Sequence, residues 1–163
     1  MKNFILKVFI TVGILFFLNV FLYSQIMKVY TWKSYHVKFQ IPNTFYITQN
    51  DATGFNGGDD DVNLNILPIV GEKMTLKKMK TLLSDWAKSN EVYDYKEINE
   101  KEDLNGYWAE YIDGRLKSND MSVTLLVIVN PDNPTTLLKV WISYRDKAFD
   151  TAMNMLLSFK PTY

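Results

Sequence analysis

The chain has 163 residues, of which 47% are hydrophobic and 15% aromatic, and its 18 Lys and Arg are balanced by 18 Asp and Glu. This length and composition are typical of about one globular domain whose core is large enough to fold without disulfides or metal. The balanced charge lacks the basic surplus of a nucleic-acid-binding surface, and the absence of cysteine excludes disulfides, thiolate zinc sites and thiol nucleophiles.

The first two dozen residues have the pattern of an export signal. Lys2 and Lys7 give a positively charged start, and residues 8–23 form a nearly unbroken apolar run that ends at Ser24-Gln25. A basic start, an apolar middle and a small residue before the cut are the parts of a secretory signal peptide. We therefore predict that residues 1–24 are a signal peptide cleaved near Ser24-Gln25. The mature protein would be periplasmic or secreted, with contact to the membrane only through this segment.

An uncleaved membrane anchor is the alternative interpretation of the same segment. A spanning helix needs about 20 apolar residues, and residues 4–23 reach that length only if Lys7 and Asn19 lie inside the membrane. These polar side chains favour the signal peptide over the anchor. The segment also has no cysteine that could carry a lipid.

Residues 25–163 show the patterns of a single α+β domain. Residues 35–41 alternate apolar and polar side chains up to Pro42, which indicates a half-buried strand, and residues 62–66 repeat that alternation. Residues 45–47 indicate a second short strand. The segment between, residues 48–61, is rich in Gly, Asn and Asp, and this composition predicts a surface loop.

The second half of the chain predicts two helices and a series of hairpins. Thr75 is a suitable N-cap for an amphipathic helix over residues 76–90, and a closing helix is predicted over residues 146–159. Turns are predicted over residues 99–106, ending at Asn105-Gly106, and at Pro131 to Pro134. Strands are predicted over residues 92–98, 107–116, 121–129 and 136–144. This order predicts an antiparallel sheet covered by helices, which is the α+β class.

Aromatic and apolar side chains occupy more of the C-terminal strands than one buried face requires. If helices cover one face, we expect the other face to carry Trp108, Leu126, Ile128, Leu137 and Trp141. An exposed apolar patch or groove marks a surface for a protein partner or a small apolar ligand. The alternative is that a helix or loop covers this face as well.

The acidic segment before Val62 is a candidate metal site. Asp59, Asp60 and Asp61 follow two glycines, and three neighbouring carboxylates are suitable ligands for a hard cation such as calcium. An EF-hand loop that starts at Asp59 is excluded, because Leu64 stands where glycine is needed and Val70 where glutamate is needed. A calcium site of another kind and a plain acidic turn are the two remaining interpretations.

The sequence contains no recognisable catalytic group. His36 is the single histidine, and the motifs of zinc proteases, α/β-hydrolases, P-loop NTPases and dinucleotide-binding enzymes are all missing. Glu110 and Asp113 are three residues apart on a predicted strand, and we therefore expect them on opposite faces of the sheet. We predict that the protein is not an enzyme and uses no cofactor.

Four segments form a combination typical of one superfamily. They are FQIPNTF at residues 39–45, NGYWAEY at 105–111, the hairpin of residues 123–144, and LLSFKP at 156–161. Over residues 35–161 the chain resembles the PsbP/Mog1-like superfamily, which includes exported bacterial members of the LpqN and DcrB types. The resemblance implies an α/β/α sandwich with a central antiparallel sheet and a helix layer on each face. It transfers no functional residue to this chain.

The resemblance also implies a role that does not involve catalysis. We expect an exported, non-enzymatic binding or accessory domain of the bacterial cell envelope. The alternative function is a carrier of a small, lipid-like apolar ligand that uses the aromatic sheet face. The expected partner is an unknown protein or such a ligand, and no nucleic acid.

Overall fold

The computed structural model describes residues 25–95 and 97–162, and the predicted signal peptide lies outside these residues. Within these ranges the chain forms eleven strands and two α-helices. The strands are β1 (Met27–Trp32), β2 (Val37–Pro42), β3 (Tyr46–Asn50), β4 (Phe55–Gly58), β5 (Val62–Val70), β6 (Val92–Tyr93), β7 (Asn99–Leu104), β8 (Tyr107–Leu116), β9 (Ser122–Val129), β10 (Thr136–Tyr144) and β11 (Lys160–Pro161). The helices are α1 (Leu76–Ser89) and α2 (Phe149–Leu157), and short 3-10 turns span Lys33–Tyr35 and Asp146–Ala148.

Eight of the strands form one large antiparallel sheet. Its order is β3-β4-β5-β10-β9-β8-β6, and β7 pairs with β8 as well. The hairpin of β9 and β10 therefore lies at the centre, and from Val123 to Val129 every residue of β9 is fully buried. A strand buried on both faces carries apolar side chains in succession, which explains the unbroken apolar run from Leu125 to Val129. The predicted antiparallel sheet and α+β class are confirmed.

The two faces of the large sheet are covered by different layers. One face packs against α1, through Met79, Leu83 and Ala87 of the helix. The other face packs against a mixed layer made of α2 and a separate three-stranded sheet with the order β1-β2-β11. The predicted sandwich is therefore confirmed, but one of its two outer layers contains the small sheet as well as a helix.

Several strands lie where the sequence predicts loops or turns. β4 lies within residues 48–61, which were expected to form a surface loop, and it joins β3 in an edge hairpin. β7 lies within the predicted turn before Asn105, and the predicted strand over residues 92–98 is reduced to β6. These strands are short or polar and lie toward the sheet edges, so their pairing partners determine their conformation more than their own composition does.

The helices follow their sequence patterns. α1 begins after Thr75, whose hydroxyl oxygen accepts a hydrogen bond from the backbone N–H of Lys78 at 3.3 Å, as expected for an N-cap. The predicted closing helix is divided into the 3-10 turn at residues 146–148 and α2. Among the described residues, neither helix has the length and apolar character needed to cross a membrane.

Candidate functional site

The strand register divides the five predicted surface residues between the two faces of the sheet. Val129 is the cross-strand partner of both Trp108 and Leu137, so these two residues lie on the face covered by α1, together with Trp141. Leu126 and Ile128 lie on the opposite face, in the core formed with α2 and the small sheet. The expectation that all five residues share one face is therefore wrong.

The reason for this difference is that β9 is apolar at every position from 125 to 129. Alternation of apolar and polar side chains is the signal that assigns residues to a face, and such a strand provides none. Leu126, Ile128 and Leu137 are fully buried. Trp108 and Trp141 remain partly exposed at the border of the α1 core.

Helix α1 covers its face of the sheet only in part. It packs over β8 and β9, whereas the face formed by β3, β4 and β5 carries exposed polar side chains, among them Asn56 and Asn63. Leu67 is 43% exposed and is the cross-strand partner of Lys139 on β10. Along β10, the sheet surface next to the edge of α1 is therefore not covered by the helix.

A groove of about 820 Å³ lies along this edge, between α1 and β10. Its lining combines apolar side chains from the helix and the preceding loop with charged ones. The lining residues are Glu72, Met74, Thr75, Lys77, Lys78, Thr81, Leu82, Asp85, Trp86, Ser89 and Lys139. A volume of this size lies within the roughly 300–1,000 Å³ range of known ligand sites.

Two tryptophans and a lysine are clustered beside this groove. The ring centroids of Trp86 on α1 and Trp141 on β10 are 6.0 Å apart with an interplanar angle of 54°. The Lys139 Nζ atom lies 4.2 Å from the centroid of the Trp86 ring, which is a cation–π contact. Burial lowers the pKa of Lys139. The cluster therefore presents two tilted aromatic rings next to a partly desolvated ammonium group.

Helix α1 carries four lysines against one aspartate, Asp85. Lys78 forms an ion pair with Glu72 at 2.5 Å, and Lys80 pairs with Glu100. Lys77 and Lys88 are exposed and make no ion pair with any residue that the structure describes. These lysines leave α1 able to attract an acidic segment of a partner.

The acidic segment before β5 is tied into the protein by hydrogen bonds and ion pairs. Asp59 Oδ2 accepts hydrogen bonds from Thr44 Oγ1 at 2.6 Å and from Gln25 Nε2 at 2.9 Å, and its Oδ1 accepts two backbone N–H groups. These bonds lower the pKa of Asp59, against the opposing effect of burial. Asp61 pairs with Lys147 at 2.8 Å, and Asp60 is exposed.

These contacts place the three carboxylates in different surroundings. Among residues 25–95 and 97–162, no group of three or more His, Asp or Glu side chains is arranged to hold a metal ion. The calcium site at Asp59 to Asp61 stays a prediction, with the plain acidic turn as its alternative.

Glu110 and Asp113 lie on opposite faces of the sheet, as their spacing predicts. Asp113 is opposite Thr124 on β9 and accepts a hydrogen bond from its Oγ1 at 2.5 Å. Glu110 is opposite Val127, faces α1 and is fully buried. Among the residues that the structure describes, neither of its carboxyl oxygens has a hydrogen-bond partner, and burial raises its pKa. The two carboxyl groups therefore do not form a pair for acid–base chemistry.

Sequence reasoning missed Trp86 and Lys139 as members of a surface site. Trp86 fits the apolar stripe of α1. The structure buries Met79, Leu83 and Ala87 but leaves Trp86 and Leu82 partly exposed at the helix border. The available signal was Lys139, a charged residue in the middle of a central apolar strand.

No family model and no curated protein sequence matches this chain. Its fold is similar to that of LpqN, which is involved in cell envelope biogenesis of Mycobacterium tuberculosis, with a TM-score of 0.55 and 13% identity over 86% of this chain and 92% of LpqN. It is also similar to the Ran-binding protein Mog1p of Saccharomyces cerevisiae, with a TM-score of 0.54 and 9% identity over 83% of this chain and 95% of Mog1p.

A protein from Bacteroides thetaiotaomicron has a similar fold as well, with a TM-score of 0.52 and 9% identity over 83% of this chain. The match covers 48% of that protein, so the present chain corresponds to about half of its length. At these identities the similarities show the fold alone. The fold implied by the sequence resemblance is therefore confirmed.

Proposed function

We propose that this chain, which has the Mog1/PsbP fold, is an exported, non-enzymatic binding or accessory domain of the bacterial cell envelope. We further propose that its binding surface is the groove between α1 and β10, and that the occupant is a protein segment with apolar and acidic side chains. The observation that carries this proposal is the cluster of Trp86, Trp141 and Lys139 beside the groove.

The chemistry of the groove suits a protein partner. Tryptophan is enriched among the residues that dominate protein–protein binding energy, because it contributes a large, rigid contact area. Leu82 and Met74 add apolar surface to the lining, and the exposed Lys77 lies along the same groove. Apolar side chains at the centre with charged groups around them are the usual composition of an interface.

The two named fold neighbours support a binding or accessory role in general terms. Mog1p is a Ran-binding protein, and LpqN is involved in cell envelope biogenesis. The envelope location proposed here rests on the apolar run after Lys2 and Lys7. Sequencing of the N-terminus of the protein recovered from the periplasm or medium should begin at Gln25. A protein that keeps Met1 in the membrane fraction would contradict cleavage.

The proposal of a non-enzymatic role has its support in the distribution of reactive groups. His36 lies after the 3-10 turn that follows β1, on the side of the large sheet opposite to Glu110. Glu110 is enclosed beneath α1, and Asp113 is bound by Thr124. Turnover of ester, glycoside or phosphate substrates that is lost on His36→Ala or Glu110→Ala would contradict the proposal.

Photocrosslinking in the source cells tests the groove directly. A photoreactive amino acid at position 82 should crosslink to a defined partner, whereas the same group at Thr31, exposed on β1, should not. Copurification of that partner should fall at least tenfold in Leu82→Asp and in Lys77→Glu. The first change places a charge against an apolar side chain of the partner, and the second repels an acidic one. The exposed Lys117→Glu variant is the charge-matched control.

A carrier of a small lipid-like ligand is the second candidate function. It is favoured by the volume of the groove, about 820 Å³, and by its aromatic border. This function predicts a saturable change in the fluorescence of Trp86 and Trp141 when lipids extracted from the source cells are added. The absence of such a change across the extract would eliminate the carrier.

A further inference from the structure

The groove beside α1 is bordered by a regular flank of the helix. The lining residues on this flank fall into two rows with a spacing of four positions. The inner row is Lys78, Leu82 and Trp86, and the outer row is Lys77, Thr81, Asp85 and Ser89. Residues four positions apart form a ridge along a helix, and a second helix packs into the furrow between two such ridges. From Lys77 to Ser89 the flank is about 18 Å long, at 1.5 Å per residue.

The apolar side chains around the groove are partly exposed, so a bound segment can contact them. Leu82 and Trp86 on the inner row are partly exposed, and so is Trp141 on β10. On β5, Leu67 is 43% exposed and is the cross-strand partner of Lys139, which belongs to the groove lining. These side chains border the groove from the helix and from the sheet. Such an arrangement suits the apolar face of an amphipathic helix.

The sheet beneath the groove has its backbone groups already paired. β10 pairs with β5 from Thr136 to Tyr144 and with β9 from Leu137 to Tyr144, so its N–H and C=O groups are used within the sheet. An extended segment lying on this face would lose water from its own backbone groups without gaining hydrogen bonds in return. A helix satisfies these groups internally. Burial in the groove is therefore much less costly for a helix than for an extended segment.

The nearby edge of β5 is also unsuited to an added strand. β4 pairs with β5 no further than Ile66, so among the described strands none pairs with residues 67–70 on that side. The backbone N–H of Gly71 donates to the carbonyl oxygen of Thr135 at 3.0 Å. Because hydrogen-bonded positions alternate along an antiparallel pair, the backbone of Pro68 faces away from β10, toward this free edge. Proline has no N–H to donate, so an added ladder would be interrupted there.

One ammonium group in the groove has no acidic partner among the residues that the structure describes. Lys139 Nζ lies 4.2 Å from the centroid of the Trp86 ring, and neither Glu72 nor Asp85, the two acidic residues of the lining, forms an ion pair with it. Its cross-strand neighbour on β5 is the apolar Leu67. A carboxylate of a bound segment would supply the missing partner. Because the surrounding side chains are apolar, this pair would also fix the position of the segment along the groove.

We propose that the segment bound in the groove is an amphipathic α-helix that lies along α1, with one Asp or Glu in its apolar stripe paired to Lys139. This inference rests on the proposed function, because it specifies the partner of the same groove. The apolar stripe of the bound helix contacts Leu82, Trp86 and Trp141, and its polar side faces solvent. The groove therefore selects its partner by helical conformation and by the position of a single carboxylate.

Crosslinking from two positions on the outer row measures the conformation of the bound segment. Thr81 and Ser89 are exposed and lie about 12 Å apart along the axis of α1. A photoreactive amino acid at each position in turn, in the source cells, should crosslink to the same partner segment. Tandem mass spectrometry should then locate the two crosslinked partner residues about eight positions apart, as in a helix. An extended segment, at about 3.3 Å per residue, would give a spacing of about four positions.

A synthetic peptide with the sequence of the crosslinked segment tests the helix directly. Isothermal titration calorimetry with the mature protein should show saturable binding. Proline at the centre of the peptide interrupts a helix and should weaken binding at least tenfold, whereas proline at its first residue is tolerated and should leave the affinity unchanged. Leu82→Asp should also weaken binding at least tenfold, and Leu157→Asp, at an exposed position of α2, is the control.

Lys139→Met tests the pairing with the carboxylate, because it removes the charge and keeps the aliphatic part of the side chain. Changing the acidic residue of the peptide to its amide should weaken binding to the wild-type protein several-fold and should have little effect on binding to Lys139→Met. Lys77→Met, which removes another lysine of the same groove, is the matched control and should keep the preference for the acid. Backbone amide spectra report whether each variant is folded.

The possible results separate this inference from the proposed function. A failure of both positions to crosslink would contradict the groove as a binding surface and the bound helix with it. A spacing of about four positions, or equal binding of the peptide with the central proline, would overturn the helix and leave the groove as the binding surface. An amide substitution that weakens binding equally in the wild type and in Lys139→Met would overturn the pairing with Lys139.

Discussion

Glu110 is the residue at which burial and charge are most clearly in conflict. Its carboxyl group is enclosed between β8 and α1, and neither oxygen has a hydrogen-bond partner in the described part of the chain. Glu100, its cross-strand neighbour on β7, takes up the nearby ammonium group of Lys80. Burial raises the pKa of Glu110, and the charge of Lys80 opposes this effect only in part. A buried carboxylate without partners destabilises the folded state once it is ionised.

The pH dependence of stability follows from this shift. The folded protein holds the Glu110 proton more tightly than the unfolded chain, in which the pKa is near its ordinary value of 4.5. The contribution of Glu110 to stability is therefore fully present below this value and is lost as the pH rises through the higher folded pKa. Glu110→Gln removes the charge and should raise the free energy of unfolding at pH 8 by about 1–2 kcal/mol, with little difference at pH 4.

Urea unfolding between pH 4 and pH 8 measures this effect. The wild-type protein and Glu110→Gln should converge at the acidic end and separate as the pH rises. Asp132→Asn, in the exposed turn between β9 and β10, is the control for loss of one negative charge. Parallel profiles of the wild type and Glu110→Gln would show that Glu110 keeps its ordinary titration in the folded state.

At the scale of secondary structure, α1 depends on a single side-chain cap at its start. The Thr75 hydroxyl oxygen accepts a hydrogen bond from the Lys78 N–H. No acidic residue lies in the first turn of α1, where a negative charge would stabilise the positive end of the helix dipole. Thr75→Ala should therefore lower the free energy of unfolding by about 1 kcal/mol, as measured by urea unfolding. Because this turn carries Lys77 and Lys78, loosening it should also weaken binding at the groove.

Thr81→Ala is the matched control for the cap. Thr81 is exposed in the middle of α1, and its hydroxyl group donates to the carbonyl oxygen of Lys77, a bond that the helix does not require. Alanine has the higher helix propensity, so this variant should be as stable as the wild type or slightly more stable. Equal losses in Thr75→Ala and Thr81→Ala would mean that the cap contributes nothing specific.

At the scale of the whole molecule, β9 joins the two cores of the sandwich. Leu125 belongs to the core beneath α1, and Leu126 belongs to the core shared with α2 and the small sheet. Both side chains are fully buried. Leu125→Ala and Leu126→Ala should each lower the free energy of unfolding by about 2–5 kcal/mol. Because one strand contributes to both cores, we expect each variant to unfold in a single transition.

Urea unfolding followed in parallel by circular dichroism and tryptophan fluorescence tests this coupling. The two signals should give the same midpoint in both variants, and Leu67→Ala, at a position 43% exposed, should have a much smaller effect. Two separated midpoints in Leu126→Ala would show that the layer of α2 and the small sheet unfolds independently of the α1 core.

The accuracy of the sequence predictions depends on the scale of the pattern involved. The spacing of Met79, Leu83 and Ala87 and the N-cap at Thr75 located α1 closely, because apolar periodicity and capping signals involve only neighbouring positions. The binding groove was not found, since it depends on how far α1 extends across the sheet. That extent leaves Trp86 at the helix border beside Lys139, although they are 53 positions apart in the chain.

The sequence alone predicted the α+β class, the antiparallel hairpins around β9 and β10, and the separation of Glu110 from Asp113 onto opposite faces. These features follow from side-chain periodicity and turn residues, which act over a few neighbouring positions. The face that Leu126 and Ile128 occupy depends on tertiary packing, because a strand that is apolar on both sides is placed by its partners. The partial cover by α1 likewise depends on packing between distant parts of the chain.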